Sequence, residues 1–292
     1  PTDLESLIPA EHRAFVDRTL SELGVPPLDT GIEHATGVLG WLHSVARSHV
    51  DVALNHRIAL IANALGSPPK DVIDQAHEKD VPVAALAGAV EHARRHVANG
   101  VDVVIAQGYE AGGHTGEIAS MVLVPEIVDA VGDSAGVLAA GGVGSGRQIA
   151  AALALGASGV WMGSYWLTAA EYKLGSASGE GPSAIQRALL SATSSDTVRT
   201  RIFSGKPARL LKTKWTDAWD KPDAPDPLPM PLQNLLVSDA HQRIVASEDP
   251  EVVAMPVGQI VGRMNDIRPV ADLMADLVNG YDASLNRLNS LS

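Results

Sequence analysis

From residue 57 onward, apolar runs alternate with helical stretches at intervals of about 20–25 residues, and this rhythm constrains the possible folds most strongly. Residues 57–65, 81–86, 101–106, 136–140 and 159–163 read as strands, and 70–79, 89–99, 125–131 and 146–155 read as helices. The strand runs are apolar almost throughout rather than on alternate residues. Such strands are covered on both faces, which points to parallel βα units. Glycine or proline punctuates their ends: Gly66-Ser67-Pro68-Pro69, Gly100 and Gly156 stop the local pattern. The expected class is α/β, either a (β/α) barrel or an open doubly wound sheet. Five strands are visible, and five cannot close an eight-stranded barrel.

The remainder departs from this rhythm. Residues 9–23 read as a helix, and 31–54 hold a second helical stretch through Trp41, Leu42 and Val45. Beyond residue 175 we expect a flexible turn at 176–182, a helix at 183–191, a strand at 197–203, a proline-rich loop at 221–231 and a helix at 232–244. Apolar helical periodicity returns over 257–288. The organisation expected is a main α/β domain over 1–174, a smaller, mostly helical domain over 175–256, and helices of 257–292 that pack back on the main domain.

At 292 residues and 46% hydrophobic content, the chain is large enough for a substantial core. Its net charge of −12 argues against nucleic acid or an anionic membrane as partner. With no cysteine, disulfides, thiolate metal sites and cysteine nucleophiles are excluded. No signal-peptide core and no bilayer-length apolar run is evident, so a cytoplasmic protein is expected.

The candidate chemistry lies at strand ends. After the strand at 101–106 comes Gln107-Gly108-Tyr109-Glu110-Ala111-Gly112-Gly113-His114-Thr115-Gly116. Paired glycines allow close backbone approach, and one imidazole stands at the mouth of the sheet. His114, neutral near pH 7, suits proton transfer or the steadying of an anion. The amide of Gln107 suits the polar edge of a flat ring, or a structural link between strands; Asn63 faces the same choice. Glu110 reads as a brace for its loop. Gly141-Gly142 and Gly163-Ser164 end two successive strands, and Ser145-Gly146 opens a helix after the first pair. Either pair alone reads as a tight βα turn; the two together read as a phosphate cradle of backbone N–H groups.

Other patterns fail. His92 and His96 have metal-ligand spacing but Arg94 and Arg95 between them, and read as a solvated helix face; no metal is expected. Arg147 occupies the place of the last glycine of a dinucleotide fingerprint, and Thr200 that of the first glycine of a P-loop. Trp215 and Trp219 read as packing residues, and Arg209, Lys212 and Lys214 as a solvated basic patch.

The order of Gln107 to Gly116, then Ala139-Ala140-Gly141-Gly142-Val143-Gly144, then Trp161-Met162-Gly163-Ser164, resembles the FMN-dependent nitronate monooxygenases, formerly 2-nitropropane dioxygenases. The resemblance runs over about residues 57–166 and continues weakly through 203–209 and 256–259. It implies a TIM-type (β/α)8 barrel with a smaller domain over its mouth and about three further strands ahead of Pro1, so that 1–174 is an N-terminally incomplete barrel and 175–256 its substrate or lid domain. It implies that His114 is the active-site histidine beside FMN, that Gln107 contacts the isoalloxazine, and that Gly141, Gly142, Gly163 and Ser164 hold the phosphate. Gly112, Gly113 and Asn63 join them as cofactor-binding candidates. The implied reaction is oxidation of an alkyl nitronate by O2 to a carbonyl compound and nitrite, in a monomer or homodimer. The alternatives are an NAD(P)H-dependent flavin reductase acting on a quinone or enoyl thioester, a non-redox phosphate-binding barrel, and a non-catalytic fragment.

Overall fold

The computed structural model describes residues 4–28, 43–173 and 181–291. In chain order its main elements are α1 (Ala10–Glu22), α2 (His43–Ala53), β1 (Ile61–Asn63), α3 (Lys70–His77), β2 (Val83–Ala87), α4 (Val90–Ala98), β3 (Val103–Gln107) and β4 (Gly113–His114). Next come α5 (Ser120–Val131), β5 (Gly136–Ala140), α6 (Gly146–Ala154), β6 (Gly159–Trp161), α7 (Ala184–Ser191), β7 (Thr197–Thr200) and β8 (Ala208–Leu211). The last are α8 (Lys214–Trp219), α9 (Leu232–Ala246) and α10 (Val270–Asn289). The first part of the helical stretch expected over 31–54, and residues 176–180 of the expected turn, lie outside the described residues.

Two compact units result, and they divide the chain differently from the three blocks read in the sequence. One holds Gly40–Ala111, Thr115–Gly163 and Ala271–Ser292; the other holds Pro1–Leu39, Gly112–His114 and Ser164–Val270. In the first, β1, β2, β3, β5 and β6 form one parallel sheet in that order. Its strands are shorter than the apolar runs that announce them: of residues 57–65, only Ile61–Asn63 pair, against Val83–Ala85. Both faces are apolar, as expected of parallel strands. Along β3, Val104 and Ala106 join Leu123, Val124 and Ile127 of α5, while Ile105 turns to the opposite face with Ala84 and Ala140. Each large aliphatic side chain buried here contributes about 1.5–3 kcal/mol. That packing carries α5 through Pro125, so the helix starts at Ser120 rather than at the proline.

The second unit is not simply helical. Gly113–His114, Ala208–Leu211 and Thr197–Thr200 form an antiparallel sheet in which Ala208–Leu211 is central. All four of its residues are buried, so the strand lacks the alternation that marks a half-exposed one. Helix α1 packs against α9 in this unit, and Arg243 donates to the carbonyls of Val25 and Pro26. Trp215 and Trp219 pack edge to face, and Phe15 meets Trp219 in the same way at 4.8 Å. Residues 257–270 group here, whereas 271–292 group with the parallel sheet.

Candidate active site

Within the first unit, the carboxyl ends of the parallel strands line up, with Gln107 opposite Ala140 and Ala140 opposite Trp161. Asn63, Gln107, Gly141, Gly142 and Gly163 therefore share one edge of one sheet. In open α/β sheets that edge is where ligands bind. Gly141 and Gly142 have φ of +92° and +71°, a pair of left-handed residues that a side chain would strain. A Cβ on Gly141 would also meet Ala111 and the Gly108 carbonyl at 3.2 Å. Gly163 is different: a Cβ there would meet nothing within 4 Å, so space opens above it. The N–H groups of Gly142 and Val143 donate to no partner among the described residues. The half-buried amide of Gln107 is likewise unpartnered among them. The amide of Asn63 instead turns into its own loop, donating to the Gly66 carbonyl at 2.9 Å.

Two braces surround this edge. Glu110 accepts from the Ser120 backbone N–H at 3.0 Å and lies 2.8 Å from the Ser120 hydroxyl, which is also 3.1 Å from the Gly141 carbonyl. Its loop-bracing role is thereby explicit, and it satisfies the first N–H of α5. Gln148 forms the second brace, and the residue-by-residue reading missed it. Its side-chain oxygen accepts from Gly144 N–H (2.9 Å) and the Ser145 hydroxyl (3.0 Å), and its amide nitrogen donates to the Gly142 carbonyl. The signal was present: Ser145 and Gln148 have capping-box spacing at a helix start.

The second unit carries Gly112, Gly113, His114 and Ser164, and its glycines serve different purposes. A Cβ on Gly112 would fall 2.6 Å from the Val257 carbonyl carbon, so two backbones touch there. Gly113 has φ +77° and open space around it. The Ser164 hydroxyl accepts from Gly258 N–H at 2.9 Å. His114 pairs through β4 with Ala208, and its Nε2 lies 2.6 Å from the hydroxyl of fully buried Ser204. Residues 203–209 and 256–259 thus meet His114, Gly112 and Ser164 directly. Burial holds the His114 imidazole below its ordinary pKa, and the Lys206 ammonium adds to the shift. It is neutral at pH 7.

Phe203 meets His114 edge to face at 6.3 Å and stacks on His241 at 5.0 Å, and Trp215 closes the stack 6.4 Å from His241. His241 is half-buried, but its Nε2 is enclosed with no hydrogen-bond partner among the described residues, and desolvation lowers its pKa to about 4. The unfolded chain binds this proton near 6.5, so stability is complete above that pH and is lost as pH falls towards 4. The slope in that window is about 1.4 kcal/mol per pH unit from this residue. His114 and His96, also lowered by burial, act in the same direction. Thermal melts between pH 7 and 4 should show the decline, and His241→Phe should flatten much of it; an unchanged slope would reject this account.

Two surface readings are corrected. His96 does not share a solvated face with His92: it is buried, and its Nε2–H donates to the Leu86 carbonyl at 3.0 Å. Arg209 is buried too, beside the Thr197 hydroxyl, while Lys212 and Lys214 pair with Asp217 and Glu251. No continuous basic patch forms from the three. Among the described residues, no helix is long and apolar enough to cross a membrane, and no group of three His, Cys, Asp or Glu is placed to hold a metal.

A sequence profile of the nitronate monooxygenase family matches residues 23–280. The chain belongs to this family. Rv1533 of Mycobacterium tuberculosis, named provisionally as a monooxygenase, is 51% identical over 294 residues, covering 98% of this chain and 76% of that protein. A Staphylococcus aureus (strain JH9) protein named probable nitronate monooxygenase is 30% identical over 245 residues, covering 80% of this chain and 65% of its own length. Among solved structures, nitroalkane oxidase from Streptomyces ansochromogenes superposes with a TM-score of 0.76 at 27% identity, over 95% of this chain and 77% of that one. The chain thus spans about two thirds to three quarters of the length of these relatives. The expected α/β barrel class holds at the level of fold: this nitronate monooxygenase family member carries the five-stranded parallel sheet of that architecture.

Proposed function

We propose that this chain belongs to an FMN-dependent oxidoreductase that oxidises alkyl nitronates with O2, giving a carbonyl compound and nitrite. The observation that carries the reading is the N–H pair of Gly142 and Val143, which has no partner among the described residues, on the same sheet edge as Gln107 and the open space at Gly163. Left-handed glycines presenting successive N–H groups fit a phosphate, and a free strand-end amide fits the polar rim of an isoalloxazine. Names borne by relatives add support: nitronate monooxygenase for the staphylococcal protein and nitroalkane oxidase for the Streptomyces structure.

The bound flavin supplies the electron-transfer chemistry, and the residues supply position and charge. Gly141, Gly142, Gly163 and Ser164 hold the phosphate, Gln107 orients the ring, Gly112 and Gly113 shape the loop, and Asn63 lines the site through its carbonyl oxygen. His114 is the substrate-side residue. A nitronate already lacks its acidic carbon proton, so a neutral imidazole serves it best by donating N–H to an anionic oxygen. Lys206, close enough to influence the imidazole, favours an anionic substrate.

The test is spectroscopic. The purified protein, loaded with FMN, is mixed anaerobically with propionate 3-nitronate or with NADPH, and flavin absorbance is followed. Bleaching by the nitronate, with nitrite release once air enters, is expected. Bleaching by NADPH without nitronate turnover would reject the reading in favour of a reductase, and failure to take up FMN would reject a flavoenzyme altogether. A variant sharpens the phosphate assignment. Gly163→Ala should leave stability within about 0.5 kcal/mol, since its methyl meets no protein atom. It should nevertheless weaken FMN binding measurably by fluorescence quenching. Equal FMN affinity in the variant would remove Gly163 from the phosphate site.

A further inference from the structure

Resting on the flavin reading above, we infer that Gln148 is a positioning residue that sets FMN over riboflavin by aiming the Val143 N–H at the phosphate. The argument begins with the planarity of the peptide bond. Across the trans peptide joining Gly142 and Val143, the carbonyl and the N–H point in opposite directions. Gln148 holds the Gly142 carbonyl with its amide nitrogen. The Val143 N–H therefore faces away from Gln148, and it has no partner among the described residues.

The amide of Gln148 cannot be reversed without loss. Its oxygen faces two donors, the Gly144 N–H at 2.9 Å and the Ser145 hydroxyl at 3.0 Å, while its nitrogen faces an acceptor. Turning it over would set donor against donor at the Gly144 N–H and acceptor against acceptor at the Gly142 carbonyl, with only the Ser145 hydroxyl able to adapt. One side chain thus occupies the Gly144 N–H and the Gly142 carbonyl and leaves the Val143 N–H between them free.

A brace is needed because of Gly142 itself. At φ +71° a glycine crosses easily to other backbone conformations, and a flip of the following peptide would present a carbonyl oxygen where an anion is to bind. Gln148 opposes that flip. A glycine-rich turn gains close approach by giving up rigidity, and Gln148, anchored on the first turn of α6, returns the rigidity. The effect acts on the phosphate and not on the ring, so the consequence is selective: FMN should be favoured, riboflavin untouched.

The test compares the two flavins in wild-type protein and in Gln148→Met, which preserves volume while removing all three hydrogen bonds. Dissociation constants are read by quenching of flavin fluorescence, with no turnover required, and circular dichroism checks folding. Wild type should bind FMN at least about tenfold more tightly than riboflavin. In the variant, FMN should weaken about tenfold with riboflavin unchanged, which collapses the ratio. A wild type that discriminates while the variant keeps the same ratio overturns this inference and leaves the flavin reading intact. Equal loss of both flavins also overturns it, reducing Gln148 to general support of the sheet edge. A wild type that binds neither flavin, or both alike, overturns the phosphate reading and this inference with it.

Discussion

Replacing His114 with alanine should lower nitronate turnover by about 10²–10⁴-fold while FMN remains bound. The side chain is well placed for such a dependence. Its strand partner Ala208 fixes the backbone, and the Ser204 hydroxyl fixes Nε2 at 2.6 Å. Asparagine at this position should recover part of the rate, since it retains an N–H donor but not the reach of the ring. The pH profile offers a second check. The imidazole's pKa is depressed by burial and then by Lys206, so the limb of the profile that marks its protonation, whichever way the rate moves, should lie below 6.5. Lys206→Met removes one depressing charge and should move that limb to higher pH. An unaltered rate in His114→Ala, or a limb that ignores Lys206, would separate this histidine from the chemistry. Steady-state kinetics with spectra of bound flavin decide both points.

Gly146→Ala should be among the most destabilising single-methyl additions in the chain, costing about 3 kcal/mol. Beside Ser145, Gly146 reads in the sequence as the opening of a helix. In the fold it is where α6 touches α10: an added Cβ would lie 2.1 Å from the Tyr281 nitrogen and 2.2 Å from the Leu277 carbonyl oxygen. Both neighbours are backbone, so no rotamer change relieves the clash and the helices must part. Gly280, facing it on α10, would place a Cβ at 3.5 Å, an ordinary contact. Gly280→Ala should accordingly cost much less, apart from the usual helix preference for alanine acting the other way. Urea unfolding of the two variants tests the asymmetry. Similar midpoints for both would show that α6 and α10 are not held at this approach. Because α6 also carries Gln148, Gly146→Ala should weaken FMN binding in proportion to its structural damage.

Much of the first unit was legible because its evidence is local. Uninterrupted apolar runs announced parallel strands, and glycines at their ends announced turns, even though the ladders proved shorter than the runs. The second unit was harder to read. Ala208–Leu211, central in its sheet and buried on both faces, carries an arginine and no alternation, so neither period appears. The candidate site was legible as a set of residues but not as a mechanism of support. Glu110 reads as a brace from its loop alone; Gln148 stands at capping-box spacing from Ser145, but its bond to the Gly142 carbonyl exists only once the turn is folded. Ser204 has no motif of its own that ties it to a histidine 90 positions away.

The sequence by itself determined the βα rhythm, the family and the positions where a side chain is unwelcome. Each of those follows from properties a residue carries with it: hydrophobicity along the strand, or the absence of a Cβ. Only the tertiary structure decided why each glycine is needed. Gly112 and Gly146 make room for another backbone, Gly141 and Gly142 supply left-handed turns, and Gly163 leaves space. That distinction depends on which atoms stand opposite, and packing chooses those from distant parts of the chain.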